Sequence, residues 1–275
     1  MKPNLKMFCI TMLPEHGEII KKLGYIPVGL GKKNFPNYFL SDKSGDNISE
    51  KNPFYGEYTF HYWLWRNNSE IFKSNDWIGF CQYRKFWITD RTNKDFKDIK
   101  DFKQVILKSI PDEHDKYETI LGEPLFVNQF RFSKFIKNNL LTMIKNPSLF
   151  FEKKKRNLKF HFDMMHGHGN LSKAINLLEP EEKQDFKFFV ENSVSFNPHN
   201  MFICKSKIKL KKYYDSLFLW LEKCEKEFGF NLEGYGMRRI YGFLAERYLS
   251  FWFQKYTKFK TMPIVFKDIS DFYKN

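Results

Sequence analysis

The run Asp76–Trp87, DWIGFCQYRKFW, passes from apolar residues into Gln82, Tyr83, Arg84 and Lys85. Arginine grips phosphate oxygens bidentately and lysine adds a point charge, so adjacent cations can neutralise a departing diphosphate. If a strand ends here, both cations lie at its carboxyl end, where open α/β sheets bind ligands. A strand-edge pair that bridges a neighbouring loop accounts for the same residue types. Upstream, SGDNISEKN offers Asp46, Asn47, Ser49, Lys51 and Asn52 ahead of a helix. Free N–H groups at a helix start suit an anion, although an ordinary capped loop needs the same residues. The helix itself carries Glu57, His61 and Arg66 among Tyr58, Phe60, Tyr62, Trp63 and Trp65. A core helix rarely needs so many hydrogen-bonding groups.

Two further clusters lie in the second half. HFDMMHGHGN sets His161, His166 and His168 beside Gly167 and Gly169. No spaced carboxylate completes a facial triad. An acceptor-binding loop, or a lid hinged at the two glycines, fits better than a metal site, and a structural loop fits as well. FLAER puts Glu246 and Arg247 inside an apolar helix. A carboxylate there is either ion-paired or functional, and a general base with pKa raised by burial is the functional form.

The elements that must position these groups alternate between strand and helix. KMFCITML reads as a first strand, PEHGEIIKKLG as a short helix closed by Gly24, and YIPVGLG as a second strand. KKNFPNYFLSDKSGDN reads as a loop. Asn52 is expected as an N-cap with Pro53 at the first helical position, and that helix should run to about Arg66. DWIGFCQYRKFW is one strand, YETILGEPLFV a strand and edge loop, Asn128–Asn139 a helix, NMFICKS a strand and TMPIVFKD a last strand. Leu210, Tyr214, Leu217, Leu221, Cys224 and Phe228 recur every three or four residues, which predicts a long amphipathic helix. GYGMRRIYGFLAERYLSFWFQKY reads as a second one. This order implies an α/β fold with a mostly parallel sheet.

Composition narrows the function classes. The chain has 275 residues, 42% hydrophobic and 19% aromatic, enough for a sizeable core. Lys and Arg number 46 against 32 Asp and Glu, a net charge of +14, which favours anionic partners. A basic nucleic-acid binder is the alternative from another class, but the basic residues are interspersed with acidic ones and no RNP, zinc-finger or basic-helix pattern occurs. No nucleic-acid partner is expected. Cys9, Cys81, Cys204 and Cys224 lack CxxC spacing and read as buried free thiols of a reducing compartment. The N-terminus lacks the apolar core of a signal peptide and no run approaches transmembrane length. The expectation is a cytoplasmic protein, peripheral on an anionic inner-membrane surface through exposed basic–aromatic segments such as KKKRNLKFHF and FWFQKYTKFK. The nucleotide-triphosphate loop, GxGxxG, HExxH and GxSxG are all absent, as is any Asp-x-Asp.

Taken in order, GDNISEKNPFYGEYTFHYWLWRN, DWIGFCQYRKF, HNMFICKSKIKLKKYYDSLFLWLEKCEKEF and RRIYGFLAERYLSFWF resemble a family of bacterial capsule and lipopolysaccharide glycosyltransferases, formerly catalogued as domain of unknown function 4422. The resemblance spans nearly the whole chain, and is poor from about Thr92 to Phe160. It departs from the family pattern at Gln82, where histidine is usual, at Lys85, which replaces a second arginine, and at Arg66, which replaces lysine. The resemblance implies a GT-A-like, Rossmann-type fold: a mixed, mostly parallel sheet flanked by helices, with a helical C-terminal part. It implies one domain over 1–275, with 1–127 mainly binding the nucleotide-sugar and 128–275 mainly binding the acceptor. The donor would be a nucleotide-sugar, a UDP-sugar by expectation and UDP-galactofuranose in some relatives. The acceptor would be a lipid-linked or oligosaccharide glycan. The expected donor contacts are Thr11, Asp46, Asn47, Lys51, Asn52, Glu57, Gln82, Tyr83, Arg84 and Lys85; His166, His168, Asn200 and Arg239 would meet the acceptor. Arg84 and Lys85 would take the leaving diphosphate and Glu246 the acceptor proton. The expected cofactor is none, or a weakly bound Mg2+ or Mn2+. Transfer of another phosphorylated group onto a surface glycan is the competing enzymatic reading.

Overall fold

The computed structural model describes residues 3–73, 75–92, 95–129, 152 and 155–273. The chain forms two compact units: Met1–Glu123 with His199–Ser216 and Trp252–Asn275, and Pro124–Pro198 with Leu217–Phe251. The units are therefore interleaved in sequence rather than being consecutive halves.

The first pass through unit one builds β1 (Leu5–Thr11), α1 (Gly17–Leu23), β2 (Ile26–Gly29), β3 (Leu40–Ser41), α2 (Asn52–Tyr55), α3 (Tyr58–Asn67), α4 (Ser69–Lys73), β4 (Trp77–Gln82), β5 (Lys85–Trp87), α5 (Ile99–Val105) and β6 (Thr119–Gly122). Unit two then adds β7 (Leu125–Phe126), α6 (Leu158–His166), α7 (Asn170–Asn176), α8 (Pro180–Asn192) and β8 (Ser195–Phe196). The chain returns to unit one in β9 (Phe202–Cys204). It ends with α9 (Lys207–Phe228), α10 (Tyr235–Arg238), α11 (Ile240–Tyr256), β10 (Phe259–Met262) and β11 (Ile264–Phe266).

The main sheet runs β10-β6-β9-β4-β1-β2-β3, with β5 and β11 attached beside β4. β1 is parallel to β2 and β4, β6 is parallel to β10, β9 runs against its neighbours β4 and β6, and β5 runs against β4 and β11. Strands buried on both faces read as unbroken apolar runs, and β1 and β4 do. One face carries Phe8, Phe80 and Phe202 in a row across β1, β4 and β9, with centroids 5.7 and 4.9 Å apart. Phe60 and His61 of α3 and Phe253 of α11 close over that row. The other face packs Met7, Cys9, Cys81 and Ile203 with Ile20, Leu23, Phe86 and Phe102. Unit two centres on a knot of Phe186, Trp220, Tyr248 and Phe251. All four cysteines are free and buried.

The structure revises several local expectations. The helix expected from Asn52 to Arg66 breaks at Gly56, whose backbone (φ 59, ψ −133) no helix can contain. Lys51, not Asn52, precedes α2, and the Asn52 amide instead donates to Gly56 O and the Thr59 hydroxyl. DWIGFCQYRKFW is a hairpin in which Gln82 pairs with Lys85 across Tyr83–Arg84. The last strand divides at Pro263 and the last long helix at Arg239. The HFDMMHGHGN loop is mostly helix: His161 and His166 lie on α6, and Gly167 and Gly169, both with positive φ, turn the chain into α7. The helix expected over Asn128–Asn139 lies almost wholly outside the described residues. The segments expected as exposed basic–aromatic patches bury Leu158, Phe162, Phe251, Trp252 and Phe253, so those rings face no surface. Among the described residues no helix is long and apolar enough to cross a membrane.

Candidate functional site

The polar groups of the 44–68 segment go to three different places. Asp46 accepts Arg66 Nε at 2.6 Å and the Tyr62 hydroxyl, and its backbone N–H donates to Asn67 Oδ1. Gly45 allows this, because a Cβ there would meet Asn67 Oδ1 at 2.1 Å. Asn47 Oδ1 accepts from the Ser49 N–H and hydroxyl, and Trp63 Nε1 donates to Ser44. Loop 44–49 is thus tied to α3. His61 is buried and hydrogen-bonded through Nδ1 to the Tyr214 hydroxyl; burial lowers its pKa to about 3.

Glu57 goes elsewhere. It stands just ahead of α3 and reaches the carboxyl end of β4, where Gln82 Nε2 donates to Glu57 Oε1 at 2.9 Å and to His199 O at 2.9 Å. Asn200 Nδ2 donates to the same Glu57 oxygen at 3.0 Å, and Lys85 Nζ donates to Gln82 Oε1 at 3.2 Å. Asn200 Oδ1 is buried without a hydrogen-bond partner among the described residues. His199 (φ 80) and Asn200 (φ 55), which lead into β9, are the two non-glycine residues with positive φ among the described residues. Burial, reinforced by Lys85, lowers the His199 pKa to about 4, so its ring is neutral near pH 7. Glu57, Gln82, Lys85 and Asn200, separated by up to 143 residues, form one network in unit one.

The hairpin tip beside this network is pinned by the C-terminal segment. Arg84 Nε donates to Asp268 Oδ2 at 2.7 Å, and its guanidinium covers the Tyr83 ring at 4.7 Å. With 60% of its side chain exposed, Arg84 both bridges a loop and faces solvent. Tyr83 packs on His16, whose two nitrogens bond to Thr11 Oγ1 (2.7 Å) and Ser270 Oγ (2.8 Å). Thr11 is buried and accepts the Leu13 N–H. The strand-end residues Thr11 and Gln82 thus belong to one edge of the sheet, but Thr11 serves the fold locally.

Unit two holds the other expected groups. Arg247 is 2% exposed; Nη1 meets Glu246 at 2.5 Å, Nη2 lies 3.4 Å from His161 Nδ1, and the guanidinium stacks 3.6 Å over Phe196. Burial lowers the Arg247 pKa and Glu246 opposes that shift. Burial, with Arg247 nearby, lowers both His161 and His166 to about 3. His166 bonds to Gly236 O through Nδ1 and lies flat on Phe243. His168 is exposed, and Arg239 is half-buried over Tyr235. Among the described residues no three His, Cys, Asp or Glu side chains converge as metal ligands.

Sequence reasoning missed three groups. His199 and Phe266 join the β4 edge, with Phe266 edge-on to the His199 ring at 5.3 Å. Asp42, at the end of β3, is fully buried, which raises its carboxyl pKa against the pull of the Thr59 hydroxyl. The only signal available was that His and Asn tolerate positive φ better than most residues.

A Rossmann-type, mostly parallel α/β sheet with a polar network at the carboxyl ends of its strands is an architecture shared by nucleotide-binding transferases and many other enzymes. Residues 10–258 match the family described as a domain of unknown function, DUF4422, and the chain belongs to that family. Among solved structures it is similar to the apo structure of the WbbM bifunctional glycosyltransferase, at 21% identity and TM-score 0.66. That likeness covers 96% of this chain and 45% of the other, so the chain spans less than half of its neighbour's length. At this identity the likeness shows the fold: GT-A-like, a mixed and mostly parallel sheet flanked by helices, with a helical C-terminal part. No curated protein matches the chain.

Proposed function

We propose that this protein is a glycosyltransferase that moves a sugar from a nucleotide-sugar, by preference a UDP-sugar, to a capsular or lipopolysaccharide glycan. The observation that carries the reading is the Glu57–Gln82–Lys85–Asn200 network at the carboxyl end of β4, with Arg84 on the adjoining turn. In the reaction, an acceptor oxygen bonds to the anomeric carbon while the bond from that carbon to the diphosphate breaks. The diphosphate leaves with the electron pair. Arg84 and Lys85 stabilise that charge. Glu57, oriented by two amides, takes the acceptor proton. Glu246 is proposed to hold the buried Arg247 instead. His168 and Arg239 are proposed acceptor contacts, and His166 their support.

Two cations in place of an Asp-x-Asp pair support metal-independent turnover, or weak stimulation by Mg2+ or Mn2+. EDTA should leave most activity in place, and strict metal dependence would show that unrecognised ligands exist. The net charge of +14 supports attachment to anionic membrane surfaces, readable as salt-sensitive sedimentation with anionic but not neutral vesicles. The decisive experiment is a thermal-shift and hydrolysis screen of UDP-, GDP-, CMP- and dTDP-sugars on wild type and Arg84→Ala. The variant should keep its fold and lose about 2–3 kcal/mol of transition-state stabilisation. Wild-type turnover in the variant would remove Arg84 from the site.

A further inference from the structure

Lys85 stands opposite Gln82 on one side of its strand and opposite Phe266 on the other. Paired residues of antiparallel strands point to the same face. Gln82, Lys85 and Phe266 therefore form one row across β4, β5 and β11, and the 3.2 Å bond from Lys85 to Gln82 follows that row. His199 touches both ends: its carbonyl accepts from Gln82, and its ring meets the Phe266 ring edge at 5.3 Å, 84° between planes. Phe266 is 64% exposed, while Phe86 and Trp87 on the paired strand are buried. Singly exposed apolar side chains are ordinary, and Phe188 and Leu219 are others; Phe266 is set apart by its place beside a polar network.

A sugar ring has an apolar face of C–H groups and a rim of hydroxyls. The complementary surface is an aromatic face flanked by planar amides and carboxylates. Phe266 provides the first, and Glu57, Gln82 and Asn200 the second. The buried, unpartnered Asn200 Oδ1 is an acceptor still owed a donor. We infer that Phe266 is the stacking platform for a sugar ring whose hydroxyls bond to the Glu57–Gln82–Asn200 network. This inference rests on the glycosyltransferase reading and deepens it. Phe266 lies beyond residues 10–258, the part that matches the family.

The test is calorimetric titration of wild type, Phe266→Ala and Phe266→Tyr with free nucleotides, the corresponding UDP-, GDP-, CMP- and dTDP-sugars, and methyl β-galactopyranoside. Circular dichroism confirms each fold. If the platform takes the donor's sugar, Phe266→Ala binds the free nucleotide as wild type does and the nucleotide-sugar about tenfold more weakly. If it takes the acceptor's sugar, donor binding is unchanged and the methyl glycoside weakens instead. In either case Phe266→Tyr restores binding. A folded Phe266→Ala protein that binds every probe like wild type overturns the platform and leaves the enzymatic reading standing. A wild-type protein that binds no nucleotide-sugar overturns both.

Discussion

Glu57 and Glu246 are both carboxylates bounded by apolar residues, one at the head of α3 and one within α11. Glu57 accepts from two neutral amides, Gln82 and Asn200, in a half-buried setting at the edge of a sheet. Glu246 lies on a guanidinium that is 2% exposed and capped by an aromatic ring. Amides fix the direction of a carboxylate without cancelling its charge. A buried guanidinium demands an anion simply to stay out of water. The same residue type in the same kind of sequence is presented in one region and consumed in the other.

The largest effect should come from breaking the consumed pair. Glu246→Gln leaves Arg247 buried without its counter-charge and should cost about 3–5 kcal/mol in urea unfolding, while a Glu246→Leu/Arg247→Met double variant recovers most of it. Unchanged stability with lost turnover would return Glu246 to the role of base. Glu57→Gln should do the opposite. Its fold should survive within about 1 kcal/mol, and turnover per folded molecule should drop roughly 10²-fold or more. If the two variants behaved alike in both assays, the contrast between the regions would be gone.

Acid should affect both regions together. His61 and His199 in the first unit and His161 and His166 in the second have folded pKa values of about 3 to 4, below the ordinary 6.5. The unfolded chain therefore binds more protons between those limits. Stability is full above about pH 6.5 and falls as pH drops toward 4, by up to about 1.4 kcal/mol per pH unit for each histidine. A flat stability curve from pH 6.5 to 5 would mean these rings are open to water. The smallest effect belongs to Asp46→Asn. Its partner Arg66 is exposed, with 46% and 45% of the Arg66 and Asp46 side chains in solvent, and such pairs contribute about 1 kcal/mol or less. A large loss of turnover would instead place loop 44–49 against the donor.

The long-range order of the fold was readable because β1, β4 and β9 are unbroken apolar runs and α9 has a clean helical period. Breaks were not readable where a single residue decides them. Gly56 adopts a backbone that divides α2 from α3, and the Tyr83–Arg84 turn folds an apparent single strand into a hairpin. The candidate site's members were each visible in the sequence, but their meeting was not. Glu57 and Gln82 stood out as donor contacts and Asn200 as an acceptor contact, yet all three meet at one carboxylate oxygen because β9 runs back against β4. Phe266 was one of many phenylalanines, and nothing in its neighbours' spacing separates an exposed ring from a core one. Arg84 carried two readings, and the structure gives it features of each: a bond to Asp268 and an exposed guanidinium.

The left-handed pair His199–Asn200 carries a consequence for laboratory evolution. Each costs about 1 kcal/mol relative to glycine, less for asparagine than for histidine. A population selected only for heat tolerance should therefore drift toward glycine at these two codons, gaining melting temperature. Glycine at 200 removes the amide that orients Glu57, and glycine at 199 loosens the carbonyl that anchors Gln82. Selection for durability and selection for turnover would pull on the same six nucleotides in opposite directions.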